Sequence, residues 1–169
     1  RRASLLAYAH DPAASSRPGR STASYAAPML KGLDPDTAAG RQAQQHLTED
    51  IVGWLTTVAP DGRPQSSPVS FLWDGETILF YSKPGTPKVR NLAANPRVSF
   101  HLNCDPYGDH IVILEGRAAV DESAAASDVH PEYRAKYQAP LEHWGMDEAE
   151  TASSFSVPIR IVPDRCRTW

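Results

Sequence analysis

The chain has 169 residues, enough for one domain to bury a core unaided. Its formal net charge of −3 argues against nucleic acid as the main partner, because phosphate backbones select basic surfaces. No apolar run approaches the length of a membrane span, so a soluble protein is expected.

Residues 1–33 are rich in Ala, Ser, Pro and Arg, hold Asp11 as their one acid and show no apolar period. They read as a flexible arm, an added tail or a segment lying on another surface. An acid-poor, Arg- and Ser-rich start is also the composition of an organelle transit peptide. The folded domain is expected over residues 34–169. Asp34-Pro35 gives a helix-start signal, and the helix is predicted to run to about Glu49. The β-branched and aromatic run from Ile51 to Val58 stops at Pro60-Asp61-Gly62, and Gln65–Trp73 follows at once, which predicts a hairpin. Asp74-Gly75 turns into a strand at Thr77–Tyr81. A short helix over Lys88–Ala94 is closed by Asn95-Pro96. Strands are predicted at Arg97–Leu102 and His110–Val120, a helical stretch over Glu122–Tyr137 broken near His130-Pro131, and a last strand at Phe155–Val162. About six antiparallel strands with short helices make a mainly β, closed or nearly closed barrel the expected fold. Ile111-Val112-Ile113-Leu114 is apolar on both faces, so one outer face is expected to be covered, as a dimer partner would cover it.

The most informative stretch runs from Ser82 to Leu92. Two of the four lysines lie in it, and no acid occurs between Glu76 and Asp105, while Lys83, Lys88, Arg90 and Arg97 fall inside that window. The stretch passes from a Gly/Pro loop into a helix, where free N–H groups and the helix dipole favour a phosphate, and Thr86 is placed to cap that helix. The composition also fits a solvated basic loop. In Gln65–Ser70, small hydroxyls surround Pro68, which cannot donate to a ladder and belongs at an edge or bulge. Free backbone there would suit a flat heteroaromatic ring, or simply mark an irregular edge strand.

Other chemistry is missing. There is no GxSxG, P-loop or GxGxxG, and the six histidines have no HxxxH or HxH spacing, so no metal site is expected. Cys104 and Cys166 lack CxxC spacing and read as reduced thiols of a cytoplasmic protein. Asp147 and Glu148 read as helix-start charges, and His143-Trp144 within Pro140–Met146 as a surface loop or lid. With no nucleophile or acid–base set, hard chemistry would have to come from a cofactor.

Pro60-Asp61-Gly62-Arg63-Pro64-Gln65, Ser67-Pro68-Val69, Lys88-Val89-Arg90-Asn91-Leu92 and Asn95-Pro96-Arg97-Val98-Ser99, in this order, resemble the pyridoxamine-phosphate-oxidase-like split β-barrel superfamily. The resemblance is strongest to its actinobacterial branch using the deazaflavin coenzyme F420. It implies an FMN-binding-like split barrel and a homodimer with cofactor sites at the subunit interface. Lys83, Thr86, Lys88 and Asn91, with Arg90, are implied to hold the cofactor phosphate. Ser67, Pro68 and Val69 would line the ring, and Tyr81 and Ser82 would lie beside the phosphate chain. The implied function is an F420H2-dependent reductase passing a hydride to an organic small-molecule acceptor. The alternatives are an FMN-dependent oxidoreductase and a non-catalytic cofactor or tetrapyrrole binding protein. F420 carries an acidic tail, for which Arg41, Arg117 and the N-terminal arginines are candidates. The ending Arg165–Trp169 does not reproduce the Arg- and Trp-rich ending of pyridoxamine oxidases, which argues against vitamin B6 phosphate as substrate.

Overall fold

A computed structural model describes residues 30 and 32–169, so nearly all of the expected N-terminal arm lies outside the described residues. Six antiparallel strands form the body: β1 (Val52–Val58), β2 (Pro64–Trp73), β3 (Ile78–Ser82), β4 (Arg97–His101), β5 (Val112–Val120) and β6 (Val157–Thr168). They close into a barrel in the order β1-β2-β3-β6-β5-β4, and β4 pairs back onto β1. Four helices are added: α1 (Ala38–Glu49), α2 (Pro87–Ala94), α3 (Pro131–Trp144) and α4 (Glu148–Ser154). The expected mainly β barrel is therefore observed.

The hairpin mechanism holds at residue level. Gly62 takes φ 85°, and Ala59 and Arg63 close the turn with a 2.8 Å hydrogen bond from the Ala59 N–H to the Arg63 carbonyl. Period-two alternation along β1 and β2 buries Leu55, Phe71 and Trp73 inside, where they meet Phe80, Phe100, Leu114, Ile159 and Ile161. Phe71 and Phe100 meet edge to face at 5.0 Å. Gly53 is required by this packing, since a Cβ there would stand 2.1 Å from the Phe100 ring.

Element ends shift from the expected ones for identifiable reasons. α1 starts after Asp34-Pro35, because Asp34 turns the chain through its own carboxylate and Thr37 takes the N-cap, accepting the Gly40 N–H at 3.0 Å. Leu33, assigned to the arm, is buried in the core beside Leu30, so the folded body starts before Asp34; isolated leucines gave no period to read. The segment before Pro131 is turns rather than helix, with Pro131 at the first helical turn of α3. Pro140–Met146 is no free lid loop: α3 runs through Pro140 to Trp144 and ends at Gly145, with φ 64°. β6 does not stop at Val162. Its register against β5 shifts at Glu115/Gly116, where Gly116 faces Pro163 and Glu115 faces Arg165, leaving Asp164 as the extra residue of a bulge.

Two features of β2 position the site. It pairs with β1 from Pro64 to Ser70, but with β3 only from Phe71 to Trp73. On the β3 side, the stretch holding Pro68 is thus without a strand partner, the edge placement a proline needs. α3 lies across the outside of this region. Tyr133 and Tyr137 pack with Leu79 and Tyr81 in a second cluster, so α3 covers the outer face of β2 and β3, not that of Ile111–Leu114, for which a cover was expected. The Tyr137 hydroxyl accepts the Phe71 N–H at 2.6 Å and lies 2.8 Å from the Phe71 carbonyl and 2.7 Å from that of Ile51.

Lys136, on the same helix, places its ammonium 4.2 Å from the centre of the Phe71 ring, buried and without a hydrogen-bond partner. Burial pushes its pKa down to about 8.

Two outcomes are expected. Tyr137→Phe leaves the buried Phe71 N–H unsatisfied and should cost about 1–3 kcal/mol in urea denaturation; a loss near zero would show that the hydroxyl is dispensable. Lys136→Met should be more stable than the parent at pH 7 by about 1 kcal/mol, a figure kept small because solvent still reaches part of the side chain. Between pH of about 8 and the ordinary lysine value of 10.5, the unfolded chain binds more protons than the folded one, so the parent gains stability with pH. The variant's advantage should therefore shrink over that window, which urea denaturation at pH 7 and pH 10 measures.

Candidate functional site

β3 is buried along its whole length, because Ile78 and Phe80 face the barrel interior while Leu79 and Tyr81 face the α3 cluster. It ends where Pro84-Gly85 breaks the strand; Gly85 reverses the chain with φ 68°, and Thr86-Pro87 opens α2. This loop delivers the basic segment to a cavity of about 450 Å³ beside the unpaired stretch of β2. One wall is made by Pro68, Val69 and Ser70 of β2 with Tyr81, Ser82, Lys83, Thr86 and Lys88. The opposing elements α3 and α4 contribute Tyr133, Arg134, Tyr137, Leu141, Trp144, Glu148 and Thr151, followed by Phe155.

The electrostatics of the first wall are one-sided. Lys88 is half-buried, and burial lowers its pKa from the usual lysine value. Among the described residues neither Lys88 nor Lys83 is in an ion pair; the Lys83 ammonium stands 5.1 Å from the Phe155 ring centre instead. The Ser82 and Thr86 hydroxyls lie 3.0 Å apart at the same wall. Thr86 is the N-cap of α2, but its hydroxyl makes no cap bond, and Pro87 has no N–H. The Lys88 and Val89 amides are the first of the helix, whereas the Arg90 N–H already bonds the Thr86 carbonyl. Two ammonium groups, two hydroxyls and free amides at a helix N-terminus can hold a phosphate.

Of the expected residues, Pro68, Val69, Tyr81, Ser82, Lys83, Thr86 and Lys88 line the cavity, and three do not. Ser67 is half-buried on β2 but off the lining. Arg90 is exposed and folds back onto the Gly85 carbonyl of its own loop. Asn91 is buried, its amide donating to Thr57 at 3.0 Å and Gln65 at 2.8 Å, so it fastens α2 to the barrel. The candidates for an acidic tail are elsewhere too. Arg41 donates to the Pro35 and Asp36 carbonyls, Arg117 lies in a groove on the other side of β5, and the N-terminal arginines lie outside the described residues.

The α3–α4 wall escaped the sequence reading, although Tyr133 and Tyr137 at i and i+4 share a helix face and Trp144 drew attention. The three tyrosines are neutral groups: burial pushes the Tyr81 phenol up to about 12 and raises those of Tyr133 and Tyr137. Tyr81 donates to the Ala125 carbonyl at 2.6 Å. Neither cysteine lines the cavity, and burial raises the Cys166 thiol to about 11. The cavity thus offers binding groups and shape; its lining holds no Cys or His, and its one carboxylate, Glu148, is paired with Arg134.

Among the described residues no cluster of three His, Cys, Asp or Glu side chains is placed to hold a metal ion, and no helix is long and apolar enough to cross a membrane. A family model described as pyridoxamine 5′-phosphate oxidase matches residues 39–169. General stress protein 26 of Bacillus subtilis is 34% identical over 84 residues, covering 48% of this chain and 59% of that protein. A pyridoxine/pyridoxamine 5′-phosphate oxidase of Streptomyces avermitilis is 34% identical over 97 residues, covering 56% of this chain and 43% of that protein. The chain therefore spans about half the length of these relatives. A conserved hypothetical protein of Mycobacterium tuberculosis has a solved structure with a TM-score of 0.57 at 28% identity, covering 79% of this chain and 84% of that one. With the match extending across the barrel and every wall of the cavity, the chain belongs to the pyridoxamine 5′-phosphate oxidase family.

Proposed function

We propose that this chain is an oxidoreductase that holds a phosphorylated flavin-class cofactor, the deazaflavin F420 first, and passes its hydride to an organic acceptor. The observation that carries the reading is the unpaired, half-buried Lys88, with Lys83 on the same wall of the cavity and no carboxylate paired to either among the described residues. A cation held out of water without a carboxylate costs free energy that a bound anion offsets. The residues fit such a group: Lys83, Lys88, Thr86 and Ser82 would hold the phosphate, and Pro68, Val69 and Tyr81 would flank the ring. When bound, the ring supplies the hydride chemistry. The protein then aligns the partners and keeps water away, in keeping with a cavity whose lining holds no Cys or His. FMN is the second reading, favoured by Arg41 and Arg117 forming no part of the cavity lining.

The test is titration of the full chain with F420 and with FMN, following ligand fluorescence. Lys88→Ala should weaken the preferred cofactor by about 1–3 kcal/mol, roughly fivefold to 150-fold, with the fold intact by circular dichroism. An unchanged dissociation constant would sink the phosphate assignment.

We also propose a homodimer that completes the site. Support comes from half-buried Val52, Trp54 and Val58 on the outer side of β1, a large apolar surface for a barrel exterior. Light scattering at low micromolar concentration should give twice the chain mass, and a monomer mass would overturn the proposal.

A further inference from the structure

We propose that the α3–α4 wall of the cavity is a subsite for a flat, uncharged aromatic molecule, and that the Arg134–Glu148 pair acts as a charge filter at its edge. This deepens the preceding reading and rests on it in one respect: the lysine wall is taken to be committed to the cofactor, leaving this wall for the acceptor.

Tyr133 and Tyr137 stack at 4.5 Å between ring centres, tilted by 30°. Their hydroxyls are turned to the β1–β2 backbone, toward Ser70 at 3.5 Å and Phe71 at 2.8 Å, so the cavity meets their hydrocarbon. Trp144 and Met146 complete the wall while remaining 42% and 41% exposed. Large apolar side chains kept half in water at a concave surface are what a ring-shaped ligand would cover.

The charges on this wall are paired. Arg134 grips Glu148 through two hydrogen bonds of 2.7 and 3.0 Å, joining α3 to α4. Glu148 is the one carboxylate on the cavity lining, and both members of the pair also line the adjoining groove, so the pair stands where cavity and groove meet. An anion arriving there finds the guanidinium already taken and a carboxylate facing it. A neutral ring meets no such opposition.

The test uses cofactor-free full chain in which Lys83→Ala and Lys88→Ala remove the free ammonium groups of the opposing wall, with two probes sharing one ring system, neutral 1-aminoanthracene and anionic anthracene-2-sulfonate. Probe fluorescence and energy transfer from tryptophan are followed. The neutral probe should saturate one site per chain, with transfer reduced in Trp144→Phe, and bind at least tenfold tighter than the sulfonate. Glu148→Gln frees Arg134 and should cut that preference about fivefold. Arg134→Met frees Glu148 and should widen it. Both variants lose the same ion pair, so loosening of the α3–α4 junction would move them together; only opposite movement supports the filter. No saturable binding of the neutral probe, or movement of the preference in the same direction, would overturn the proposal. Since both lysines are removed in this background and no cofactor is present, these outcomes stand apart from the fate of the phosphate assignment, which the Lys88→Ala titration of the otherwise unaltered chain decides.

Discussion

One hydroxyl holds the functional half of this molecule in place. In the β1–β2 register, Val52 faces Ser70, so the next rung would join Ile51 to Phe71. At that rung the Tyr137 oxygen stands between the strands, bonded to the Phe71 N–H and within reach of both carbonyls. A side chain from α3 therefore does the work of a strand backbone at the point where the ladder opens. The arrangement satisfies buried polar groups that would otherwise be orphaned. It also fixes α3 over β2, and with it Tyr133 and the wall that faces the basic loop.

The second constraint is electrostatic and lies in what the loop lacks. Between Glu76 and Asp105 no acid is available to neutralise Lys83 or Lys88, and the fold brings none from elsewhere among the described residues. Acids are used freely beyond that window, as where Asp74 and Asp121 clasp Arg160 at 3.0 and 2.7 Å. The contrast separates a cation employed in the fold from two that have no acidic partner among the described residues.

How much of this could be read in the sequence depended on how local the cause was. The β1–β2 hairpin was legible because its turn residues and its alternation lie within a few positions of each other. The basic wall was half legible: charge and Gly/Pro punctuation brought Lys83, Thr86 and Lys88 to notice, but not that Arg90 folds back on its own loop or that Asn91 reaches Thr57 and Gln65. Those outcomes depend on partners supplied by tertiary structure. The α3–α4 wall was least legible. Pro140 looked like an interruption, yet it is accommodated inside α3, and the role of Tyr137 follows from a register gap between two distant strands. The last strand, expected at Phe155–Val162, runs on past Pro163 because a bulge opposite Glu115/Gly116 lets β6 continue.

The strand order also governs when the barrel can exist. β6 is paired on both sides, to β3 from Ile78 to Ser82 and to β5 from Val112 to Val120. Until residues 157–168 have emerged during synthesis, β3 and β5 each keep an open edge lined with apolar side chains. Closure then joins segments some eighty residues apart in sequence in the case of β3. Such late, long-range pairing is slow, and it leaves a nascent chain with exposed strand edges. The nascent chain is therefore an unclosed sheet until β6 emerges, although α3 and α4, which precede β6 in the chain, are by then already available to cover β2 and β3.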